Sequence, residues 1–126
     1  MKHTLVKLLH ALKPVKTKYD LIRVGGAHDG GYLLPDDLSG ISICFSPGVA
    51  ETATFEKDLL ARGIRSHLAD ASVDSVPDDL PVLSFEKKFL GVTNDGDYMT
   101  LEFWVRNKAP EGDLLLQMDI EGAEYQ

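Results

Sequence analysis

The spacing of apolar and polar residues changes along the chain, and each change predicts a different element. Residues 3–13 carry leucines at i, i+3, i+4 and i+7 with lysines at other positions, and the run stops before Pro14. This spacing predicts a short amphipathic helix with one apolar side. A solvated basic side is the ordinary outcome for such a helix, and contact with a membrane or an acidic partner is the alternative.

Two strand-like segments follow and enclose a glycine-rich loop. Residues 19–24 and 32–35 are largely apolar, and four of the seven residues in 25–31 are glycines. Two such segments around a loop of this composition predict a β-hairpin. The glycines permit positive φ angles and a close approach of the backbone to a ligand.

From residue 41 onward, strand patterns alternate with helix patterns. Strands are predicted over 41–45, 64–69, 82–85 and 114–118, with a turn at 46–48. Helices are predicted over 51–62, ending at Gly63, and after Thr100, whose hydroxyl can cap the first turn. Nearly continuous apolar strands that alternate with helices favour a mostly parallel sheet covered on both faces. The predicted fold class is therefore α/β and Rossmann-like.

Composition and charge narrow the classes of function. The chain has 126 residues, 44% of them hydrophobic, which suits one domain with a core rather than two. A net charge of −7 repels phosphate backbones, so we expect no nucleic-acid partner. Cys44 is the single cysteine and indicates no disulfide framework. Neither a signal-peptide core nor a run of about 18 apolar residues is present, so we expect a cytoplasmic protein with no membrane partner.

Three places along the predicted sheet carry residues that suit a ligand site. Gly48 follows the first strand, Asp70 follows the second, and an acidic cluster opens at Asp119 after the last. Ligands of open parallel sheets bind at the carboxyl ends of the strands, and a carboxylate about 20 residues beyond a glycine turn can accept hydrogen bonds from a ribose. Each place also has a purely structural interpretation, as an ordinary turn, a turn cap and an acidic loop.

Other site types lack their motifs. The sequence contains no Gly-Lys-Ser/Thr of a phosphate-binding loop, no Gly-x-Ser-x-Gly and no His/Cys cluster with the spacing of zinc ligands. A nicotinamide site normally has a fuller Gly-x-Gly-x-x-Gly than the lone Gly48. No metal site is predicted.

The end of the chain resembles a motif of a known family. Residues 114–124 close with Asp-Ile-Glu-Gly-Ala-Glu, which is similar to the Asp-Ile/Val-Glu-Gly-Ala-Glu motif of FkbM-type S-adenosylmethionine-dependent methyltransferases. Residues 100–105 resemble a short helix in a branch of that family, and residues 23–32 resemble its Arg-x-Gly…Asp-Gly-Gly-Tyr motif. The resemblance covers most of residues 19–126. In one departure, Ser-Pro-Gly at 46–48 stands in place of the commoner Asp-x-Gly-x-x-x-Gly.

The resemblance implies a class I methyltransferase fold that binds S-adenosylmethionine. Asp119 and Glu121 would face the methyl group and its acceptor, and we expect Asp119 to act as general base. Five residues are expected to contact the cofactor, some because the resemblance implies it and others from the sequence pattern: Gly48, Glu51, Asp70, Asp29 and Gly30. Gly48 and Glu51 would lie by its amino-acid part, and Asp70 would hold the ribose. The expected reaction is methyl transfer to a hydroxyl of a small molecule or sugar.

The same likeness bears on domain organisation. Residues 1–18 would form a helix and linker, and residues 19–126 a methyltransferase domain that is incomplete at its C-terminus, because the family's fold continues with a further helix and strands. We therefore expect a fragment whose activity alone is in doubt and whose open sheet edge allows self-association. The alternatives are a nucleotide-binding domain of an oxidoreductase, a non-catalytic binding domain, and a regulatory protein that docks through its basic helix.

Overall fold

The predicted N-terminal helix forms, but its apolar side is not covered. In the computed structural model, which describes residues 2–108 and 110–125, the first element is the helix α1 (Lys2–Ala11). The leucines of its predicted apolar side are all exposed, namely Leu5, Leu8, Leu9 and Leu12. Within the described ranges, no helix combines the length and the apolar character that crossing a bilayer requires.

The predicted hairpin is confirmed. Strands β1 (Leu21–Val24) and β2 (Tyr32–Pro35) pair antiparallel, with Val24 opposite Tyr32. The loop between them needs its first glycine, since Gly25 has a φ of +92° and a Cβ there would lie 2.3 Å from the carbonyl oxygen of Gly30. Val24 is fully buried, so the end of β1 anchors the hairpin to the core.

The remaining elements build a parallel sheet with helices. They are β3 (Ile43–Pro47), α2 (Thr54–Ala61), β4 (Arg65–Ala69), β5 (Ser84–Glu86), β6 (Phe89–Leu90), β7 (Tyr98–Met99), α3 (Leu101–Lys108) and β8 (Leu114–Leu116). Strands β5, β4, β3 and β8 lie side by side in that order, and every pairing is parallel. The short strands β6 and β7 form a separate parallel pair. The described chain is thus mixed α/β with a four-stranded parallel sheet, compatible with a Rossmann-like fold.

Apolar clusters cover both faces of this sheet, as the continuous apolar strands predict. Because successive strand residues point to opposite faces, Cys44 packs with α2 and the hairpin while Phe45 packs with α3. Phe45 and Trp104 meet edge to face, with ring centroids 5.0 Å apart. Thr100 caps α3 as predicted, since its hydroxyl oxygen accepts a hydrogen bond from the amide of Phe103 at 3.2 Å.

The ends of β3 and β8 differ from their predictions. The turn expected at 46–48 begins later, because Ser46 and Pro47 belong to β3 and are buried. Proline lacks an amide hydrogen to donate to the sheet, and Pro47 is the last residue of β3. Strand β8 stops at Leu116, two residues before the predicted end. Both β5 and β8 are edge strands of the sheet, and self-association through such an edge stays a prediction.

Candidate functional site

A cavity of about 440 Å³ opens where the carboxyl ends of β3, β4 and β8 meet. This volume lies within the range of about 300–1,000 Å³ that is common for small-molecule sites. Six of the seven residues predicted for the site line it: Asp29, Gly30, Gly48, Asp70, Asp119 and Glu121. The seventh, Glu51, is exposed and lies outside the lining.

Gly48 lets two parts of the cavity approach each other. Its φ is +80°, and its amide donates a hydrogen bond to the carbonyl oxygen of Ala69 at 2.8 Å. A Cβ at this position would lie 2.6 Å from Cγ2 of Ile120 and 3.3 Å from the carbonyl oxygen of Asp119. A side chain here would therefore push the segment after β3 away from the segment after β8.

Asp70 acts as a brace for the loops around it. The side chain is only 4% exposed, and its Oδ2 accepts a hydrogen bond from the amide of Ala50 at 2.7 Å. Its Oδ1 accepts two more from Ser72, at 2.8 Å from the amide and 2.6 Å from the hydroxyl. The turn-cap interpretation of Asp70 is thus observed. A carboxylate has about four acceptor positions, so little capacity is left for a ribose hydroxyl.

The acidic cluster after β8 lines the cavity without being extended. Glu121 has a φ of +58°, so the backbone turns there, and strand alternation does not explain why its side chain and that of Asp119 share the cavity. Glu124 is turned elsewhere, because its Oε2 accepts a hydrogen bond from the amide of Gly122 at 2.9 Å. Two of the three carboxylates of the motif are therefore available to a ligand.

Tyr32 is a lining residue that sequence reasoning missed. Its hydroxyl donates a hydrogen bond to Oδ2 of Asp119 at 3.1 Å, across 87 positions of sequence. Burial raises the pKa of the Tyr32 phenol, and the hydrogen bond to Asp119 and the negative charge of that carboxylate raise it further. The phenol therefore stays a neutral donor at physiological pH. No local pattern reveals this contact, because it depends on how the hairpin meets β8.

Glu56 is the second lining residue that was missed. It lies in the first turn of α2, is 4% exposed, and accepts a hydrogen bond on Oε1 from the hydroxyl of Ser46. Burial raises the pKa of this carboxyl, against a smaller opposing effect of Ser46. One signal was present in the sequence: Glu56 precedes Leu59 and Leu60 by three and four positions, so an acidic residue lies on the inward side of the predicted helix.

The lining of the cavity is strongly acidic. Among the described residues, five carboxylates and no Lys, Arg or His side chain contribute to it. The five are Asp29, Glu56, Asp70, Asp119 and Glu121. Such a lining favours ligands with positive charge and disfavours phosphates. Within the described ranges, no three His, Cys, Asp or Glu side chains are arranged to hold a metal ion.

Comparisons of the chain with protein-family models, with curated proteins and with solved structures find no match.

Proposed function

We propose that this chain binds S-adenosylmethionine in the cavity and serves methyl transfer to a hydroxyl of a small molecule or sugar, as its likeness to FkbM-type methyltransferases implies. One observation carries the proposal. Gly48, Asp70 and Asp119 are far apart in sequence, yet all three line one cavity at the carboxyl ends of parallel strands. This is where open parallel sheets bind nucleotide-like ligands.

The charge of the cavity supports this cofactor over a dinucleotide. S-adenosylmethionine carries a sulfonium and an ammonium against one carboxylate, so its net charge is positive and suits an acidic lining. A dinucleotide would place its pyrophosphate at the N-terminus of the helix that follows the first strand of the parallel sheet. In this chain that strand is β3 and the helix is α2. That position in this chain carries the buried carboxylate of Glu56. The oxidoreductase alternative is therefore the weaker one.

The residues around Asp119 suit proton transfer from an acceptor hydroxyl. When bound, the cofactor would supply a methyl group on a positively charged sulfur, ready for in-line displacement. Asp119 would accept the proton of the attacking hydroxyl. Tyr32 donates to Oδ2 of that carboxylate and fixes its orientation, which leaves Oδ1 for the proton. Asp70 holds the loop after β3 through its hydrogen bond from Ala50, and this loop lines the cavity. A fixed lining helps to align bound reactants, and alignment supplies much of the acceleration in displacement reactions.

Calorimetry with the 126-residue chain tests the choice of cofactor. We expect S-adenosylmethionine and S-adenosylhomocysteine to bind and NAD not to bind. Binding of NAD alone would favour the oxidoreductase alternative. Binding of neither ligand would leave the non-catalytic domain as the better description.

A variant of Asp119 tests the chemistry. In a form of the protein with measurable methyl transfer, Asp119→Asn should lower turnover at saturating substrate by about 10²- to 10⁴-fold, because general-base catalysis contributes on that order. Cofactor affinity should change little. Glu124→Gln is the matched control, since Glu124 belongs to the same motif but hydrogen-bonds to Gly122 and lies outside the cavity lining. Unchanged turnover in Asp119→Asn would remove the assignment of the base.

A further inference from the structure

Glu56 is a buried carboxylate without a cation beside it. It lines the cavity at 4% exposure, and no Lys, Arg or His side chain among the described residues lines the cavity with it or forms an ion pair with it. An ionised carboxylate that leaves water without a cationic partner is costly unless something compensates the charge. The first-turn position in α2 offsets part of this, because helix N-termini favour negative charge.

The hydrogen bonds of Glu56 come from its own backbone and from one side chain, that of Ser46. Among described side chains, Ser46 alone donates to the carboxylate, and it does so on Oε1. Ser46 Oγ also lies 2.9 Å from Oε1 of Gln117, and its single hydrogen can be donated to only one of these two oxygens at a time. Glu56 is thus oriented by β3 on one oxygen, while the other has no side-chain donor from the described chain.

Resting on the proposed function, we infer that Glu56 binds the ammonium group in the amino-acid portion of S-adenosylmethionine. An ammonium carries three N–H donors, so it can neutralise the buried carboxylate and also donate hydrogen bonds to it. The sulfonium has no hydrogen to donate and can do only the first. The resemblance implies that Gly48 and Glu51 lie by this part of the cofactor, but Glu51 is exposed and outside the lining.

The groups that face Glu56 do not compete for this role. The Cys44 thiol on β3 has its pKa raised to about 12, first by burial and then by the charge of Glu56. The Tyr32 phenol on β2 also has a raised pKa, to which Glu56 contributes least. Both are therefore neutral at physiological pH. Two further carboxylates of the cavity lie around Tyr32. Asp119 accepts a hydrogen bond from its hydroxyl, and the charge of Asp29 also raises the pKa of the phenol.

The test compares ligands with and without the ammonium. S-adenosylmethionine and S-adenosylhomocysteine carry it, whereas methylthioadenosine has the same nucleoside and no amino-acid portion. By calorimetry, Glu56→Gln should weaken binding of the first two by about 10- to 100-fold and leave methylthioadenosine unchanged, as expected for loss of a charge-assisted hydrogen bond. Glu102→Gln is the matched control, because Glu102 is also a first-turn glutamate but is exposed on α3. It should bind all three ligands as the wild type does.

A pH series adds a readout that a purely structural role would not change. Only ionised Glu56 attracts the ammonium, and burial raises its pKa above the ordinary 4.5. Wild-type affinity for S-adenosylhomocysteine should therefore rise as pH rises through the pKa of Glu56, and this rise should be absent in Glu56→Gln. Ser46→Ala removes the hydroxyl that orients the carboxylate and should cause a smaller loss with the same selectivity, which covers the case in which Glu56→Gln does not fold.

Each other outcome contradicts the inference. Unchanged affinity in Glu56→Gln, or equal weakening of all three ligands, would overturn it while wild-type binding upholds the proposed function. Weakening of S-adenosylmethionine alone would assign Glu56 to the sulfonium instead. If the wild type binds none of the three, the proposed function fails and this inference fails with it.

Discussion

The carboxylates at the ends of β4 and β8 differ in how firmly the protein holds them. Asp70 follows an interior strand of the sheet, is 4% exposed and accepts three hydrogen bonds. Asp119 follows an edge strand, is exposed and accepts one hydrogen bond, from Tyr32. The same sequence feature, an acidic residue after an apolar strand, thus yields a structural brace in one place and an exposed, available carboxylate in the other. Neighbouring strands and loops supply the donors that make the difference.

The largest effect should come from removing the brace. Asp70→Ala should lower the free energy of unfolding by about 4 kcal/mol, because each hydrogen bond to a charged acceptor contributes about 1.5–3 kcal/mol and the donors at Ala50 and Ser72 lose their partner. Asp119→Ala should lose less than about 1 kcal/mol, since it removes one exposed bond. Urea denaturation of both variants measures the contrast. Similar losses in the two would contradict this difference between the two carboxylates.

A glycine that joins the two halves of the cavity should give the next effect. Gly48→Ala should cost about 2 kcal/mol, from a φ of +80° and from the approach of the new Cβ to Ile120. Gly63→Ala is the matched control, because Gly63 has a φ of +81° and nothing within 4 Å of a Cβ, so only the backbone conformation costs energy there, about 1 kcal/mol.

Thermal or urea unfolding of the two glycine variants isolates the contact between the segments after β3 and β8. The larger loss of unfolding free energy in Gly48→Ala should be accompanied by weaker cofactor binding, and Gly63→Ala should bind the cofactor as the wild type does. If both substitutions lower the free energy of unfolding equally, Gly48 is a turn glycine like Gly63 and its close approach to Ile120 does not affect stability.

Most elements of the fold could be predicted from the sequence, because apolar periodicity differs between helix and strand. The hairpin and the parallel sheet follow from that signal, and so does α2, although it spans Thr54–Ala61 where 51–62 is predicted. The pair of two-residue strands β6 and β7 could not, since two residues carry no periodicity. The same periodicity predicts α1 but not that its apolar side lies exposed, because amphipathic spacing does not identify the surface against which that side packs.

The candidate site could be predicted only in part. Strand ends locate Gly48, Asp70 and Asp119, because parallel strands bring their carboxyl ends to one edge. The roles of Glu56 and Tyr32 depend on side chains from other elements, and so does the hydrogen bond from Ala50 to Asp70, whereas the two bonds from Ser72 are local and agree with the turn-cap interpretation. Sequence spacing fixes which strand end a residue occupies, whereas tertiary contacts decide which donors reach it.

The smallest expected effect belongs to the hydrogen bond that connects the hairpin to Asp119. Tyr32→Phe keeps the edge-to-face contact with Phe55, at 5.7 Å between ring centroids, and loses only the bond to Asp119, so it should lower the free energy of unfolding by about 0.5 kcal/mol.

The pKa of the Tyr32 phenol is raised above 10.0 in the fold, so its contribution to stability is fully present below pH 10 and is lost as pH rises through the folded pKa. Ultraviolet titration of phenolate, with Tyr32→Phe to identify the Tyr32 signal, should show that Asp119→Asn lowers the Tyr32 pKa toward 10.0 without reaching it, because burial is the largest cause and remains. An unchanged Tyr32 pKa in Asp119→Asn would mean that the two side chains do not interact in solution.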